Sequence, residues 1–412
     1  MTHDLTEETL PTLAEPIVDL RDPRWLLQPR EAARALHRQG RVHRDTNGLW
    51  LVTRHADCRA MMQSRLLSRD PTLSRSYASI RPFIAGSALE ATAERFILFA
   101  DAPRHTRLRR VVGAAFTPAA VRQLESGIER TLDGLLRSLP GDEPFDFMQR
   151  VAQVLPIRVI CDLLGLDEGD TAQAKAWSDA AACVVEPTAG RAQRLEGAAA
   201  VTALTDFLRA QVARRRVEPG DSLLDVMIAA QAQDPQFDDD DLLANLLLLF
   251  IAGHETTTNL LGNGLLALLQ HPGQLERLRR EPALLNDAIE EMMRWESPVN
   301  MVARTTLEPW TIGDFTVPPG EVLYGLLGAA HQDAEAFGEP HCFDITRSPN
   351  PQLAFGGGVH YCVGAPLARL EAKVTFGALL RRFGHLSMLD EQPRWRPMVN
   401  LRGLSELWIE AS

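Results

Sequence analysis

Residues 238–271 carry the longest helical pattern in this chain, and a helix of that length dictates the class and size of whatever packs around it. Four aspartates at 238–241 open the stretch, where carboxylates meet the positive end of a helix dipole. Pro272 closes it, since a proline ring has no N–H to continue the ladder. Some thirty residues at about 1.5 Å each make a rod of roughly 50 Å, enough to cross a whole globular molecule. The apolar run 242–253 inside it includes Asn245 and stops at His254 and Glu255, so it is too short to span a bilayer. Asn245, Gly253, Gly262 and Gly264 are poor helix formers in such a rod. A glycine at mid-helix beside charged residues predicts a local distortion at 252–257.

Around that rod helical periodicity dominates, notably over 118–139 and 191–216, and β signals are confined to a few short places. Residues 41–44 and 49–53 flank Asn47-Gly48, which predicts a hairpin closed by a type I′ turn. A second β region spans 303–323, with turns at Gly313-Asp314 and at 318–320. No repeat, low-complexity tract or linker divides the 412 residues, so one domain is expected, with residues 1–20 loosely ordered. The net charge of −11 argues against a nucleic-acid partner, because no basic surplus is left to neutralise phosphates. Five scattered cysteines, at 58, 161, 183, 342 and 362, point to a reducing compartment and not to a disulfide framework. The polar, acidic first fifteen residues hold neither a signal-peptide core nor a membrane anchor. A cytoplasmic, soluble protein is the expectation.

The chemistry concentrates at residues 355–364, which read Phe-Gly-Gly-Gly-Val-His-Tyr-Cys-Val-Gly. The stretch 365–373 after them reads as a helix that tolerates Pro366 at its start. The loop thus delivers the Cys362 sulfur close to a helix N-terminus, where N–H groups and the dipole favour a thiolate. Its glycines let the backbone approach a flat object closely. A shielded thiolate presented to a flat face is what a haem iron needs as an axial ligand. The competing reading is an ordinary buried cysteine in a glycine-rich turn.

This segment resembles the haem-binding loop of the cytochrome P-450 family, F-G-x-G-x-H-x-C-x-G, at every defined position. The resemblance extends from 101 to 404, with four motifs in the family's order. It implies a mainly α fold with a small β region, in which a long central helix lies over a buried haem b. It further implies Cys362 as the iron ligand and Phe355 as the aromatic that shields its sulfur.

Residues 252–257, Ala-Gly-His-Glu-Thr-Thr, resemble the family's oxygen-activation signature A/G-G-x-D/E-T. By that resemblance Gly253 leaves space for dioxygen, Thr256 hydrogen-bonds the distal oxygen, and Glu255 feeds protons to it through water. The competing reading makes Glu255 a surface carboxylate and has Thr256 back-bond to a carbonyl and bend the helix. Glu291 and Arg294, at i, i+3 on one helix face, resemble the family's structural E-x-x-R pair, with Arg347 as a third member. His105 and Arg109, at i, i+4, resemble its H-x-x-x-R clamp on the haem propionates; Arg304 and His360 match further propionate positions.

Arg107 and Arg110 read as solvated surface charge or as docking points for an acidic ferredoxin. His254 sits where the family varies and receives no task. His331, His341 and Cys342 lack zinc-type spacing, and Trp295 and Trp310 read as packing residues. Substrate-lining positions follow only from the resemblance: the loop 80–98, Leu248, Ile251, Ala252, Asn300, Val302 and the turn 400–404. Arg81 in that loop anchors a substrate carboxylate or is simply exposed.

The function implied is monooxygenation: one atom of O2 enters an apolar or weakly polar organic substrate by hydroxylation or epoxidation, as in natural-product tailoring. No flavin-type glycine fingerprint occurs, so electrons are expected from a ferredoxin and its reductase. Two alternatives stand beside it, a peroxide-driven or non-hydroxylating haem-thiolate oxidase and a non-enzymatic haem protein that binds a ligand. The Glu255–Thr256 pair speaks against a peroxide-driven enzyme and against a ligand-binding protein, because peroxide carries its own protons and pure binding needs no proton relay.

Overall fold

The long helix spans Asp239–Gln270, within a residue of the stretch read from the sequence. Asp238 caps it, its carboxylate accepting from the N–H of Asp241 at 2.8 Å. The computed structural model to which this helix belongs describes residues 18–412 apart from 23, 79–80, 82–87, 142, 167–168, 170 and 391. The expectation of a loose N-terminal segment therefore lies, for residues 1–17, outside the described residues, as do positions 80 and 82–87 of the expected substrate loop.

A helix that is apolar all round has to be buried all round, and this one is. Leu246, Leu247, Phe250, Leu261 and Leu265 lie in one continuous core. Packed directly on it are the helices Leu155–Leu164, Thr171–Ala181, Arg191–Val217, Leu285–Trp295 and Ala365–Arg382. The expected distortion at 252–257 is absent, because the helix stays α-helical from end to end. Its poor helix formers serve close packing instead. Asn245 ties the helix sideways, accepting from the N–H of Ile97 at 2.9 Å and donating to the Arg95 carbonyl at 3.2 Å. Gly264 lets two helices approach: a Cβ there would stand 2.8 Å from both Met292 Sδ and Phe376 Cζ.

That geometry fixes the sign of a substitution. Gly264→Ala gains roughly 1 kcal/mol of helix propensity but overpacks a core site, at about 1–3 kcal/mol. Phe376 and Met292 are themselves buried and cannot swing away. A net loss of up to about 2 kcal/mol is expected in urea unfolding. An unchanged or raised midpoint would refute the crowding argument.

The β structure is small and lies to one side. Strands Val42–Arg44, Trp50–Val52, Val322–Leu326, Met301–Thr306 and Leu67–Ser68 stand side by side in that order. Trp50–Val52 runs parallel to Val322–Leu326, and the other neighbours are antiparallel. The expected hairpin at 42–52 is present but is not closed by a type I′ turn, and the expected β region over 303–323 includes a hairpin at 310–317. Gly48 alone takes a left-handed φ of +78°, and its N–H bonds the Asp45 carbonyl at 2.9 Å. The Asp45 side chain wins the competition for the turn. Its Oδ1 accepts from the N–H groups of Asn47 and Leu49 at 2.9 and 2.7 Å.

Glu291 and Arg294 form a fully buried, two-pronged pair, with Nε–Oε2 and Nη2–Oε1 both at 2.7 Å. Arg347 joins from outside at 3.1 Å, as the sequence led one to expect. The remaining Arg294 donors end on the carbonyls of His331, Pro340 and Cys342 at 2.8–3.0 Å. His331 in turn accepts from the N–H of Leu353 through Nε2 at 2.8 Å, so the cluster braces the segment that leads into the cysteine loop. No helix among the described residues is long and apolar enough to cross a membrane.

Candidate active site

Between the central helix, the cysteine loop, the strand Met301–Thr306 and the helix Arg104–Gly113 lies a cavity of about 1750 Å³. Cys362 stands on its wall, three residues before the helix Ala365–Arg382 begins. The loop turns sharply there because Gly356 and Gly358 take φ of +71° and +64°. A Cβ at Gly358 would meet the Met62 carbonyl at 2.6 Å. The N–H of Cys362 closes the turn on the Phe355 carbonyl at 2.9 Å. Burial pushes the Cys362 thiol up, while the N–H groups of Gly364 and Ala365 and the guanidinium groups of Arg109 and Arg369 favour its thiolate. Phe355 lines the same wall, with the Arg369 guanidinium 4.3 Å from its ring centroid and held there by Glu290.

One edge of the cavity is crowded with positive charge. His105, Arg109, Arg304 and His360 converge there as expected, with the His105 and His360 rings 4.1 Å apart. Arg69, which the sequence offered no motif to single out, completes the group. It donates to the carbonyls of Leu98 and Ala303 at 2.9 and 2.8 Å. Burial, then the charges of Arg69, His105, Arg304 and Arg109, push His360 down to about 2. Burial and the Arg69 charge push Arg304 down to about 8. Asp101 is the nearby carboxylate, and it is already engaged by the Ser68 hydroxyl and the N–H of Arg69. The His105 Nε2 is buried with no hydrogen-bond partner among the described residues.

Cations gathered without matching anions, beside an orphaned imidazole nitrogen, fit the two carboxylates on the edge of a haem. The thiol in its glycine-rich turn fits the iron.

A guanidinium keeps its charge, so Arg304, buried beside the Arg69 charge, is an electrostatic burden on the haem-free fold. Arg304→Gln is expected to stabilise the haem-free protein by roughly 1–4 kcal/mol and, at the same time, to loosen haem retention. Thermal unfolding of both forms, with the rate of haem transfer to a scavenger, reads the two signs. A destabilised haem-free variant would remove the electrostatic argument.

The central helix supplies Leu248, Ile251, Ala252, Gly253, Glu255 and Thr256 to the cavity wall. The Thr256 hydroxyl back-bonds to the Ala252 carbonyl at 2.6 Å, and the helix stays α-helical through that turn. Glu255 is no surface carboxylate: it is 1% exposed and accepts from the Arg396 guanidinium. Burial pushes it up, Arg396 and Lys175 oppose that, and Asp179 adds to it. Arg396, beside the strand Arg394–Trp395, was invisible as a partner because 141 residues separate the two.

Glu371 also reaches the cavity, nine residues beyond Cys362, with Oε2 buried and unpartnered among the described residues. Burial alone pushes its carboxyl up to about 8, against an ordinary value of 4.5. A raised pKa means that the folded state holds the proton more tightly than the unfolded chain. Stability from this group is therefore complete below about pH 4.5 and is lost as pH rises through about 8. Glu371→Gln is expected to flatten that decline, gaining a few kcal/mol at pH 9 and little at pH 4. Parallel stability–pH curves for the two proteins would contradict it.

Val302, Ile97, Leu98 and Leu401 lie on the wall as expected. Asn300 is a correction: it is not among the wall residues, because its amide turns away to donate to the Val399 carbonyl at 3.2 Å. Arg81 pairs with Glu90 at 3.1 Å. Arg107 and Arg110 bond Gln236 and Asp234 at 2.6 and 3.0 Å. Trp295 packs against His271 and Phe343.

The comparisons agree with this architecture. Residues 193–402 match the family model for Cytochrome P450. Cytochrome P450 107B1 of Saccharopolyspora erythraea is 40% identical over 379 residues, covering 88% of this chain and 90% of that protein. Vitamin D(3) 25-hydroxylase of Pseudonocardia autotrophica is 38% identical, covering 87% of each. The tirandamycin C-bound P450 monooxygenase TamI superposes with a TM-score of 0.86 at 35% identity, over 95% of this chain and 99% of that one. Similarity to such relatives over nearly the whole length of both chains, in a mainly helical fold, establishes this chain as a member of the cytochrome P450 family, an oxidoreductase of the bacterial monooxygenase type.

Proposed function

We propose that this chain is a haem b-dependent monooxygenase that places one atom of O2 into an apolar organic molecule, with electrons from a ferredoxin and its reductase. The observation that carries the reading is the convergence on one cavity of the Cys362 sulfur, the cation cluster and the Glu255–Thr256 pair. When bound, haem supplies the redox chemistry of dioxygen. Cys362 would hold its iron; His105, Arg109, Arg304 and His360, with Arg69, would hold its carboxylates. Phe355 with Arg369 covers the sulfur side and excludes water.

Thr256 presents its hydroxyl oxygen to the cavity, since its proton is engaged by the Ala252 carbonyl. Glu255, one residue earlier, is the group able to hold and release a proton there. The rest of the wall is largely apolar, with Leu98, Leu248, Ile251, Val299 and Leu401, which suits an apolar or weakly polar substrate. Relatives named for vitamin D(3) and bound to tirandamycin C support a natural-product substrate of similar bulk.

The test is the absorption spectrum of the reduced protein with and without carbon monoxide, followed by a substrate panel read by the spin-state shift. A strongly red-shifted Soret band and a shift with bulky apolar compounds are expected. A band at the position typical of histidine-ligated haem would overturn the reading.

A further inference from the structure

Glu296 and Arg402 meet in a buried ion pair, Arg402 Nε donating to Oε2 of Glu296 at 2.7 Å. Neither is among the wall residues of the cavity, but each stands next to some. Pro298 and Val299 follow Glu296 by two and three residues, Leu401 precedes Arg402, and all three line the wall. The two segments run antiparallel and are zipped together. Val299 pairs with Leu401, the N–H of Arg402 bonds the Pro298 carbonyl at 3.0 Å, and the N–H of Asn300 bonds the Asn400 carbonyl at 2.8 Å. The ion pair staples this ribbon at its shared end.

We propose that Arg402 is a positioning residue for substrate: its grip on Glu296 fixes where Val299 and Leu401 stand on the wall, and so how closely a bulky apolar molecule is held. The proposal rests on the monooxygenase reading above and names what sets one side of its substrate pocket.

The bonds that hold the ribbon lead to Arg402 from several sides. Its Nη1 donates to the Leu26 carbonyl at 2.7 Å, on the short helix Arg24–Leu27. Its own carbonyl accepts from the Asn263 amide of the central helix at 2.9 Å, and the same amide donates to the Glu296 carbonyl at 3.2 Å. Its guanidinium carbon lies 3.6 Å from the Trp395 ring centroid. A side chain gripped in so many directions has one place to be, and the wall residue beside it inherits that place. Asn263 adds a fixed distance to the rod that supplies another part of the same wall.

Neutralising Glu296 is not what singles Arg402 out. Arg30, on the helix Pro29–Gln39, donates to the other carboxylate oxygen, Oε1. Burial opposes it, yet the guanidinium groups of Arg402 and Arg30 hold the Glu296 carboxyl below its ordinary value. With Arg402 gone, Glu296 would keep Arg30 as its counter-charge. Arg30 otherwise meets Trp295, at its carbonyl (3.4 Å) and over its ring (4.1 Å), and bonds no residue of 399–402 among the described residues. Charge is therefore shared between two arginines, and the hold on the wall belongs to one of them. That asymmetry supplies a matched control.

The experiment uses the haem-loaded protein and two azoles that bind iron through nitrogen, imidazole and clotrimazole. Each dissociation constant is read from the Soret shift on titration. Imidazole is small enough to bind without reaching Val299 and Leu401, whereas the three aryl rings of clotrimazole fill far more of the cavity. The ratio of the two constants reports the placement of the wall and cancels a change at the haem itself. Arg402→Met keeps the length and removes the donors, Arg402→Lys keeps the charge, and Arg30→Met removes the other guanidinium.

Arg402→Met is expected to weaken clotrimazole about tenfold, at the low end of the ~10–200-fold that one misfitted methylene in an apolar pocket costs, and to leave imidazole within about twofold of the wild type. Arg402→Lys should recover part of the ratio, because an ammonium can pair with Glu296 but lacks the fork that also reaches Leu26. Arg30→Met should keep the wild-type ratio, although it removes as much charge.

A wild-type ratio in Arg402→Met, or an equal change in Arg30→Met, overturns the inference. Where Arg402→Met yields no folded protein, a wild-type ratio in Arg402→Lys overturns it. Parallel weakening of both azoles does so too, because the haem site and not the wall would then have moved. A wild-type protein whose spectrum shifts with neither azole and lacks the red-shifted carbon monoxide band overturns the parent reading instead.

Discussion

Cys362→Ala is expected to abolish the red-shifted carbon monoxide band completely and to bring turnover to background, while the fold survives. The sulfur lies on a cavity wall, and truncation leaves the loop's own bonds in place: Cys362 N–H to Phe355, and Tyr361 N–H to Gly358 at 3.2 Å. The edge formed by the cations Arg69, Arg109 and Arg304 with the His105 and His360 rings is untouched, so haem should still enter, more loosely and without a thiolate. On the proposed reading, Cys362 would be the thiolate donor to the haem iron, and its loss would remove that donation. Cys362→His separates ligand identity from occupancy: it should restore tight haem binding with an unshifted band and no monooxygenation. A red-shifted band that persisted in Cys362→Ala would place the thiolate elsewhere, and Cys58, Cys161, Cys183 and Cys342 would each have to be tested.

Much of the architecture could be read from the chain, and the failures have physical causes. The central helix was legible because its signal is local: an acidic start, an apolar body and a proline stop. Its glycines were legible as exceptions, but their purpose was not, since only the fold shows that Met292 and Phe376 press on Gly264. The first hairpin was legible and its turn was not, because the Asp45 side chain replaced the turn chemistry that Asn47-Gly48 suggested. The cysteine loop and Glu291–Arg294 could be read because motif residues lie within a few positions of one another. Arg69, Arg396, Lys175 and Asp179 carry no motif and matter only by where the fold brings them. The cavity wall draws on segments from both ends of the chain, which is why substrate shape left no continuous trace in the sequence.

Arg294→Ala carries the largest expected effect on stability. It leaves the Glu291 carboxylate fully buried with only the N–H of Asp344, the Asn350 amide and Arg347 at its side. Removing one partner of a buried pair costs about 3–5 kcal/mol, against a total stability of roughly 5–15 kcal/mol for a folded protein. Three carbonyls, of His331, Pro340 and Cys342, lose their donor as well. The damage should travel. His331 holds the N–H of Leu353, two residues before Phe355, so the cysteine loop loses its brace and haem content should fall with stability. Arg294→Lys should recover only part of both, because an ammonium cannot grip the carboxylate with two prongs while reaching three carbonyls. The paired change Glu291→Gln with Arg294→Met removes both charges together and should be less damaging than either single loss of charge. Urea unfolding with parallel haem quantification measures all three. If Arg294→Ala unfolds within about 1 kcal/mol of the wild type, near the value of an exposed pair, the cluster is not what holds the loop in place.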